Sequence, residues 1–252
     1  MAGYKTFLRP SSIIEGNKII LDRYESHHLC RVLRLKANDP VQALDGRGGV
    51  YWSKIVSADI KRTELWVEKQ ERLNKPKKRI NLIISVPKQK AMDQILKACV
   101  EIGIQKIQPV FSEHSAFNFD AKQSKEKLDK WNSAIIESCK QSGCFFAPEI
   151  APICKLEDYL KQPETALDNL SLVASLQEGS ASIHEVIQGN LIKQTEVHLA
   201  VGPEGDFSER EYLAFKDKGF HAVRLGKNVL RSDTAVTYSL SVVDQMFCFS
   251  NC

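Results

Sequence analysis

From residue 80 onward the apolar residues gather in short runs that do not alternate with polar ones, and amphipathic segments fall between the runs. Residues 80–86, 104–111, 170–176, 197–201 and 222–225 read as strands buried on both faces. Residues 90–103, with Met92, Ile95, Leu96, Cys99 and Val100 on one side, and 125–142, with Leu128, Trp131, Ile135 and Cys139 on one side, read as helices. Such strands separated by such helices imply a parallel sheet covered on both faces, because a parallel crossover places a helix against the sheet. That excludes an all-helical or sandwich fold for this part of the chain.

The first 72 residues follow another rule. Short strands at 18–21, 41–45, 51–56 and 64–67, with Asp45-Gly46-Arg47-Gly48-Gly49 turning the chain, predict a small β-barrel. Within it, "HHLCRVLRLK" reads as a short helix, with Leu29, Val32 and Leu33 toward a core and His27, Arg31 and Arg34 together on another face. The polar, proline-broken stretch 73–79 reads as a linker, giving an organisation of 1–72, 73–79 and 80–252. Charge divides at the same place: residues 1–79 hold 17 Lys and Arg against 9 Asp and Glu, while the rest is net acidic. A basic surface suits a polyanion, although charge alone fits a solvated lysine-rich domain equally well.

No apolar run approaches the roughly 18 to 20 residues of a membrane helix, and the start of the chain lacks the order of a secretory signal, so a cytoplasmic protein is expected. Seven cysteines without a C-x-x-C spacing suggest free thiols, and the scattered His and Cys offer no metal-ligand set.

Two strand exits carry the candidate chemistry. "HLAVGPEGDFSEREY" leaves the strand 197–201 through Gly202-Pro203-Glu204-Gly205 and enters a helix at Ser208, whose Ser-x-x-Glu spacing is that of a capping box. "VRLGKNVLRSDTA" leaves 222–225 through Gly226 and enters a helix at Ser232 or Asp233. "LVASLQEGS" at 172–180 has the same form. Ligands of open α/β sheets bind at such carboxyl ends, so these loops predict one shared pocket. Glu204 opposes a polyphosphate, and no Lys-Ser/Thr follows the glycines as a nucleotide loop requires. A neutral or cationic ligand fits better. A tight turn with a solvent-facing glutamate is the plainer alternative, as a surface ion pair is for Arg231 and Asp233.

"HHLCRVLR", "KAMDQILKACVEIGI", "GPEG" and "LGKNVLRSDTA", in this order, resemble the RsmE family of 16S rRNA (uracil-N3)-methyltransferases, in the SPOUT superfamily of knotted S-adenosylmethionine enzymes. The resemblance implies an N-terminal PUA-like barrel for RNA, a C-terminal α/β domain with a deep trefoil knot, and a homodimer acting on 16S rRNA of the small ribosomal subunit without a metal. It sets Ser175, Leu176, Gly202, Pro203, Glu204, Gly205, Leu225, Gly226 and Leu230 around S-adenosylmethionine, and Arg31, Arg34 and Lys36 on RNA. Lys140 and Cys144 stand where relatives often carry Glu and Arg, Asp206 where Gly is frequent, and Asp233 where Glu is usual. Removing the imide proton of uracil requires a site that stabilises the resulting anion. Arg231 is the candidate for that charge, with Asp233 or Glu204 to orient it or to take the proton.

Overall fold

A computed structural model describes residues 3–115, 117–162, 169–190 and 194–248, and Cys252 lies outside them. The chain forms two compact units: Met1–Lys75 with Ile136–Ala147, and Pro76–Ile135 with Pro148–Cys252.

The first unit is built on a six-stranded sheet. Its strands are β1 (Tyr4–Phe7), β2 (Ile13–Glu15), β3 (Lys18–Ile20), β4 (Pro40–Leu44), β5 (Gly49–Ser57) and β6 (Glu64–Arg72), in the order β1-β4-β5-β6-β3-β2. Only β1 and β4 run parallel; the other neighbours are antiparallel, and irregular register in β5 bends its pairing with β6. Alternating side chains of these strands enclose a core of Ile19, Val41, Ala43, Ile55, Leu65 and Val67, completed by Leu21, Leu29 and Leu35. Two of these strands, β1 and β2, are not among the four read from the sequence.

The helix expected in "HHLCRVLRLK" differs from a regular one. Helix α1 covers Arg23–His27, capped by the Asp22 carboxylate on the Glu25 amide, and a π-helical turn follows at His28–Val32. Leu33 N–H bonds back to His28 carbonyl, five residues away, so the extra residue rotates everything after it. Leu29 remains buried, but Val32, expected inward, is 59% exposed. Arg34, at φ 56°, has already left the helix, so His27, Arg31 and Arg34 do not share one helical face.

Within the span 80–252, the segment Ile136–Ala147 packs in the first unit. Phe146 bridges to Arg47, and Gly48 N–H reaches Phe145 carbonyl. Gly48 sits at φ 90°, and a Cβ there would meet the Phe146 ring at 2.7 Å, so only glycine serves. Deeper in the unit lies a charge cluster. Glu25 is wholly buried and accepts from Thr6 Oγ1 at 2.8 Å, Arg9 Nε at 3.2 Å and Lys140 Nζ at 3.1 Å. Lys140 also meets Glu137 at 2.8 Å. A buried carboxylate with this many donors is the partner that makes Lys140 tolerable at 7% exposure.

The second unit is an entirely parallel sheet. Strands β7 (Arg79–Ser85), β8 (Lys106–Phe111), β9 (Glu149–Ile150), β10 (Cys154–Lys155), β11 (Asn169–Ala174), β12 (Ala181–Ser182), β13 (Glu196–Val201) and β14 (His221–Arg224) lie in the order β10-β8-β7-β13-β11-β14-β12, with β9 beside β8. Helices α2 (Gln89–Ile102), α3 (Ala121–Ser142), α4 (Leu156–Leu160), α5 (Ile183–Asn190), α6 (Glu209–Asp217) and α7 (Ser232–Val243) intervene. The last turns of α3 belong to the first unit. Ile83, Val173 and Ala200 pack with α4 and α6 residues such as Leu160, Tyr212 and Phe215. Their strand neighbours Leu82, Leu172 and Leu199 are buried as completely, which is why the strands read as unbroken apolar runs. Helix α7 lies against β13, and α2 against α7, burying the five α2 residues read from the periodicity. No helix among the described residues is long and apolar enough to cross a membrane.

Candidate active site

Because β13, β11 and β14 are parallel neighbours, their carboxyl ends lie side by side and their exit loops meet. The loops enclose an open cleft with a cavity volume of about 80 Å³. Ser175 and Leu176 come from the first loop, Gly202, Pro203 and Glu204 from the second, and Leu225, Gly226 and Leu230 from the third. Eight of the nine residues expected around a cofactor are therefore brought together. Gly205 is the exception: it packs away from the cleft, where a Cβ would meet that of His114 at 3.2 Å.

Each loop is held by bonds that fix its shape. Ser175 N–H bonds to Val223 carbonyl, tying the first loop to β14. Ser232 Oγ donates to Gly202 carbonyl at 3.2 Å, tying the start of α7 to the second loop. His114 Nδ1 lies 3.1 Å from both Gly205 and Asp206 carbonyls, so this nitrogen must carry the proton. The capping box predicted at Ser208 is present, and the same Glu211 carboxylate also receives Glu113 N–H. One side chain thus fixes both the helix start and the 112–115 segment.

Asp206 lines the cleft, as do Ala174, Arg224, Asn228, Val229 and Ala235, which sequence reading did not single out. It adopts φ 61°, a conformation glycine enters more easily, and three contacts hold it there. Its N–H reaches Pro203 carbonyl, and its Oδ1 receives Phe207 N–H at 2.8 Å and Tyr212 hydroxyl at 2.7 Å. Burial, reinforced by the Asp206 carboxylate beside it, raises the Tyr212 phenol above its ordinary value, so the hydroxyl remains a donor. A glycine in the usual pattern would have neither this strain nor this tether. Arg224 donates through Nε to Gly226 carbonyl at 3.2 Å and shapes the third loop. Its alternating place at the end of a strand was the available signal.

The three catalytic candidates separate. Glu204 lines the cleft with its side chain exposed and without a hydrogen bond among the described residues. Arg231 and Asp233 flank the cleft-lining Ser232 but are not in the wall. Asp233 Oδ1 receives the Thr234 amide, and among the described residues there is no Arg231–Asp233 ion pair. The Arg231 guanidinium is exposed with no partner among those residues, so it is available to a substrate. Arg31, Arg34 and Lys36 are exposed in the first unit. The six described cysteines are unpaired, and Cys144, in the first unit, donates its thiol to Phe146 carbonyl at 3.2 Å.

Comparison with known proteins bears on the class. Residues 74–244 match a family model described as an RNA methyltransferase domain, and residues 21–64 one described as an RNA methyltransferase PUA domain. The parallel-sheet unit and the PUA-like sheet unit are thus the two parts of an RNA methyltransferase. Ribosomal RNA small subunit methyltransferase E from a Synechocystis strain is 30% identical over 249 residues, covering 96% of this chain and 78% of its own. A protein of Borreliella burgdorferi, ribosomal RNA small subunit methyltransferase E 2, is 28% identical, covering 94% and 95%. Among solved structures, the Neisseria gonorrhoeae ribosomal RNA small subunit methyltransferase E bound to S-adenosyl methionine superposes with a TM-score of 0.86 at 26% identity, covering 97% of this chain and 98% of that one. The chain belongs to the ribosomal RNA small subunit methyltransferase E family.

Proposed function

We propose that this protein methylates N3 of a uridine in 16S ribosomal RNA, with S-adenosylmethionine as the methyl source. The observation that carries the reading is the convergence of three exit loops on a cleft that bears carboxylates and lacks a phosphate cradle. The residues fit that group. It is a sulfonium without phosphate, so Glu204 and Asp206 oppose its positive charge favourably, while Leu176, Leu225, Val229 and Leu230 offer apolar surface to an adenine ring. When bound, it supplies an electrophilic methyl group.

The remaining chemistry belongs to side chains of this chain. Uracil N3 must lose its proton as it gains the methyl group, leaving negative charge on the flanking carbonyl oxygens during the step. Arg231, exposed and uncommitted beside the cleft, is assigned to that charge. Of the two carboxylates considered for the proton, Glu204 is in the wall and unbonded, whereas Asp233 is engaged at the start of α7. Glu204 is therefore the proposed acceptor. Arg31, Arg34 and Lys36 are assigned to phosphate contacts, as their exposure and the positive balance of residues 1–79 allow.

The family's architecture extends the reading in two respects. The segment from Gly226 into α7 is proposed to thread a deep trefoil knot, supported by the return of α7 to β13 and by the Ser232–Gly202 bond. A homodimer is proposed, with α7, which exposes Tyr238, as an interface element. Mass spectrometry of 16S rRNA nucleosides from cells lacking this chain, with and without its restoration, tests the activity. Appearance of 3-methyluridine only on restoration is expected, and a methyl group on a ribose or a guanine would overturn the assignment.

A further inference from the structure

We infer that the first unit holds a nucleobase-stacking site whose platform is the ring of Tyr24, and that its ligand is an unpaired RNA nucleotide. The inference rests on the reading of this protein as an RNA enzyme and adds a contact that the basic residues do not supply.

Tyr24 stands on α1 with 52% of its surface exposed, although the Arg9 guanidinium carbon lies 4.2 Å from its ring centroid. A cation at that distance covers one face of the ring. The exposure that remains opens on a shallow cleft of about 380 Å³ lined by Arg23, Tyr24, His27, His28 and Val32. Val32, at the end of the π-helical turn and 59% exposed, forms part of the cleft wall.

The ring is held in place from within the unit. Arg9 donates through Nε to the wholly buried Glu25, which Lys140 also reaches. Arg9, which covers one face of the ring, is thereby anchored to the interior of the unit. Lys140 Nζ itself lies 5.9 Å from the ring centroid. A flat, pre-oriented aromatic face loses little entropy when a second flat group settles on it.

Charge selects the occupant. The cleft wall contains one arginine and two imidazoles and no carboxylate, in the part of the chain that carries the positive excess. An aromatic face beside cationic and hydrogen-bonding groups matches a base together with its phosphate. A base within a duplex has both faces covered by its neighbours, so the nucleotide must be unpaired and unstacked.

The test uses the full-length protein and a short single-stranded oligoribonucleotide carrying 2-aminopurine, whose fluorescence is quenched by stacking, moved through successive positions. The wild type and Tyr24→Phe should bind alike and quench one position. Tyr24→Leu retains apolar bulk without a ring, and it should bind about 5- to 100-fold more weakly without quenching. Binding of S-adenosylhomocysteine should be unchanged in Tyr24→Leu, and thermal unfolding should stay one cooperative transition shifted only by the lost Arg9–ring contact, which separates a lost contact from a lost fold. Wild-type affinity in Tyr24→Leu, or no quenching at any position in the wild type, overturns the stacking site while leaving the methyltransferase reading intact. Failure of the wild type to bind RNA at all, with cofactor bound, removes both.

Discussion

Replacing Glu25 by glutamine should cost this protein far more than the change of one atom suggests. The carboxylate is fully buried and receives Thr6 Oγ1, Arg9 Nε and both contacts of Lys140 Nζ, whose own side chain is only 6% exposed. Glutamine keeps the volume and one acceptor oxygen but no charge. Lys140 and Arg9 would then share only Glu137, at 2.8 and 3.7 Å, and that side chain is 40% exposed. Removing one partner of a buried pair typically costs about 3–5 kcal/mol, and the remaining help from Glu137 argues for the lower end, about 3 kcal/mol. Glu137→Gln removes a half-exposed partner and should cost about 0–1 kcal/mol. Lys140→Met leaves Glu25 with Arg9, so it should cost less than Glu25→Gln, and the double variant should recover about 1 kcal/mol or more relative to additivity. Urea unfolding followed by tryptophan fluorescence is suitable, since Trp52 and Trp66 sit on β5 and β6 of the same unit. A Glu25→Gln protein within about 1 kcal/mol of wild type, or no more affected than Glu137→Gln, would refute the view that this cluster holds the unit together.

Arg231→Ala should leave S-adenosylmethionine affinity near wild type and lower single-turnover methyl transfer by about 100-fold or more, and an unchanged rate would remove it from the catalytic assignment. Arg31 and Arg34 changed together to alanine should weaken RNA binding and reduce the slope of log affinity against log salt by about 0.7 to 0.9 per lost phosphate contact, measured by titration at several salt concentrations. Gly202→Val should reduce cofactor affinity measured by calorimetry in a folded protein, because even a Cβ there meets Phe207 at 3.3 Å and Asp206 Oδ1 at 3.4 Å. Sedimentation at micromolar concentration should find a dimer; a fully active monomer would reject that proposal.

Local chemistry made much of the second unit legible in the sequence. A strand buried on both faces must be apolar along most of its length, so β7, β8, β11 and β13 announced themselves, as did the inward stripe of α2 and the capping box at Ser208. The glycine-bearing exits from β13 and β14 could be recognised for the same reason: turns that leave buried strands need residues with few steric demands. Contacts between residues distant in sequence were not readable. Tertiary structure alone decided that Ile136–Ala147 joins the first unit, because the partner of Lys140 lies 115 residues away at Glu25 and no local pattern encodes such a pair. It also decided that Gly205 faces His114 instead of the cleft, and that Asp206 is tethered by Tyr212. At His28–Val32 the sequence carried a helical pattern, but one inserted residue in the turn reversed where Val32 points. Periodicity assigns a side chain to a face only while the backbone repeat is constant; where the repeat changes, packing chooses the face.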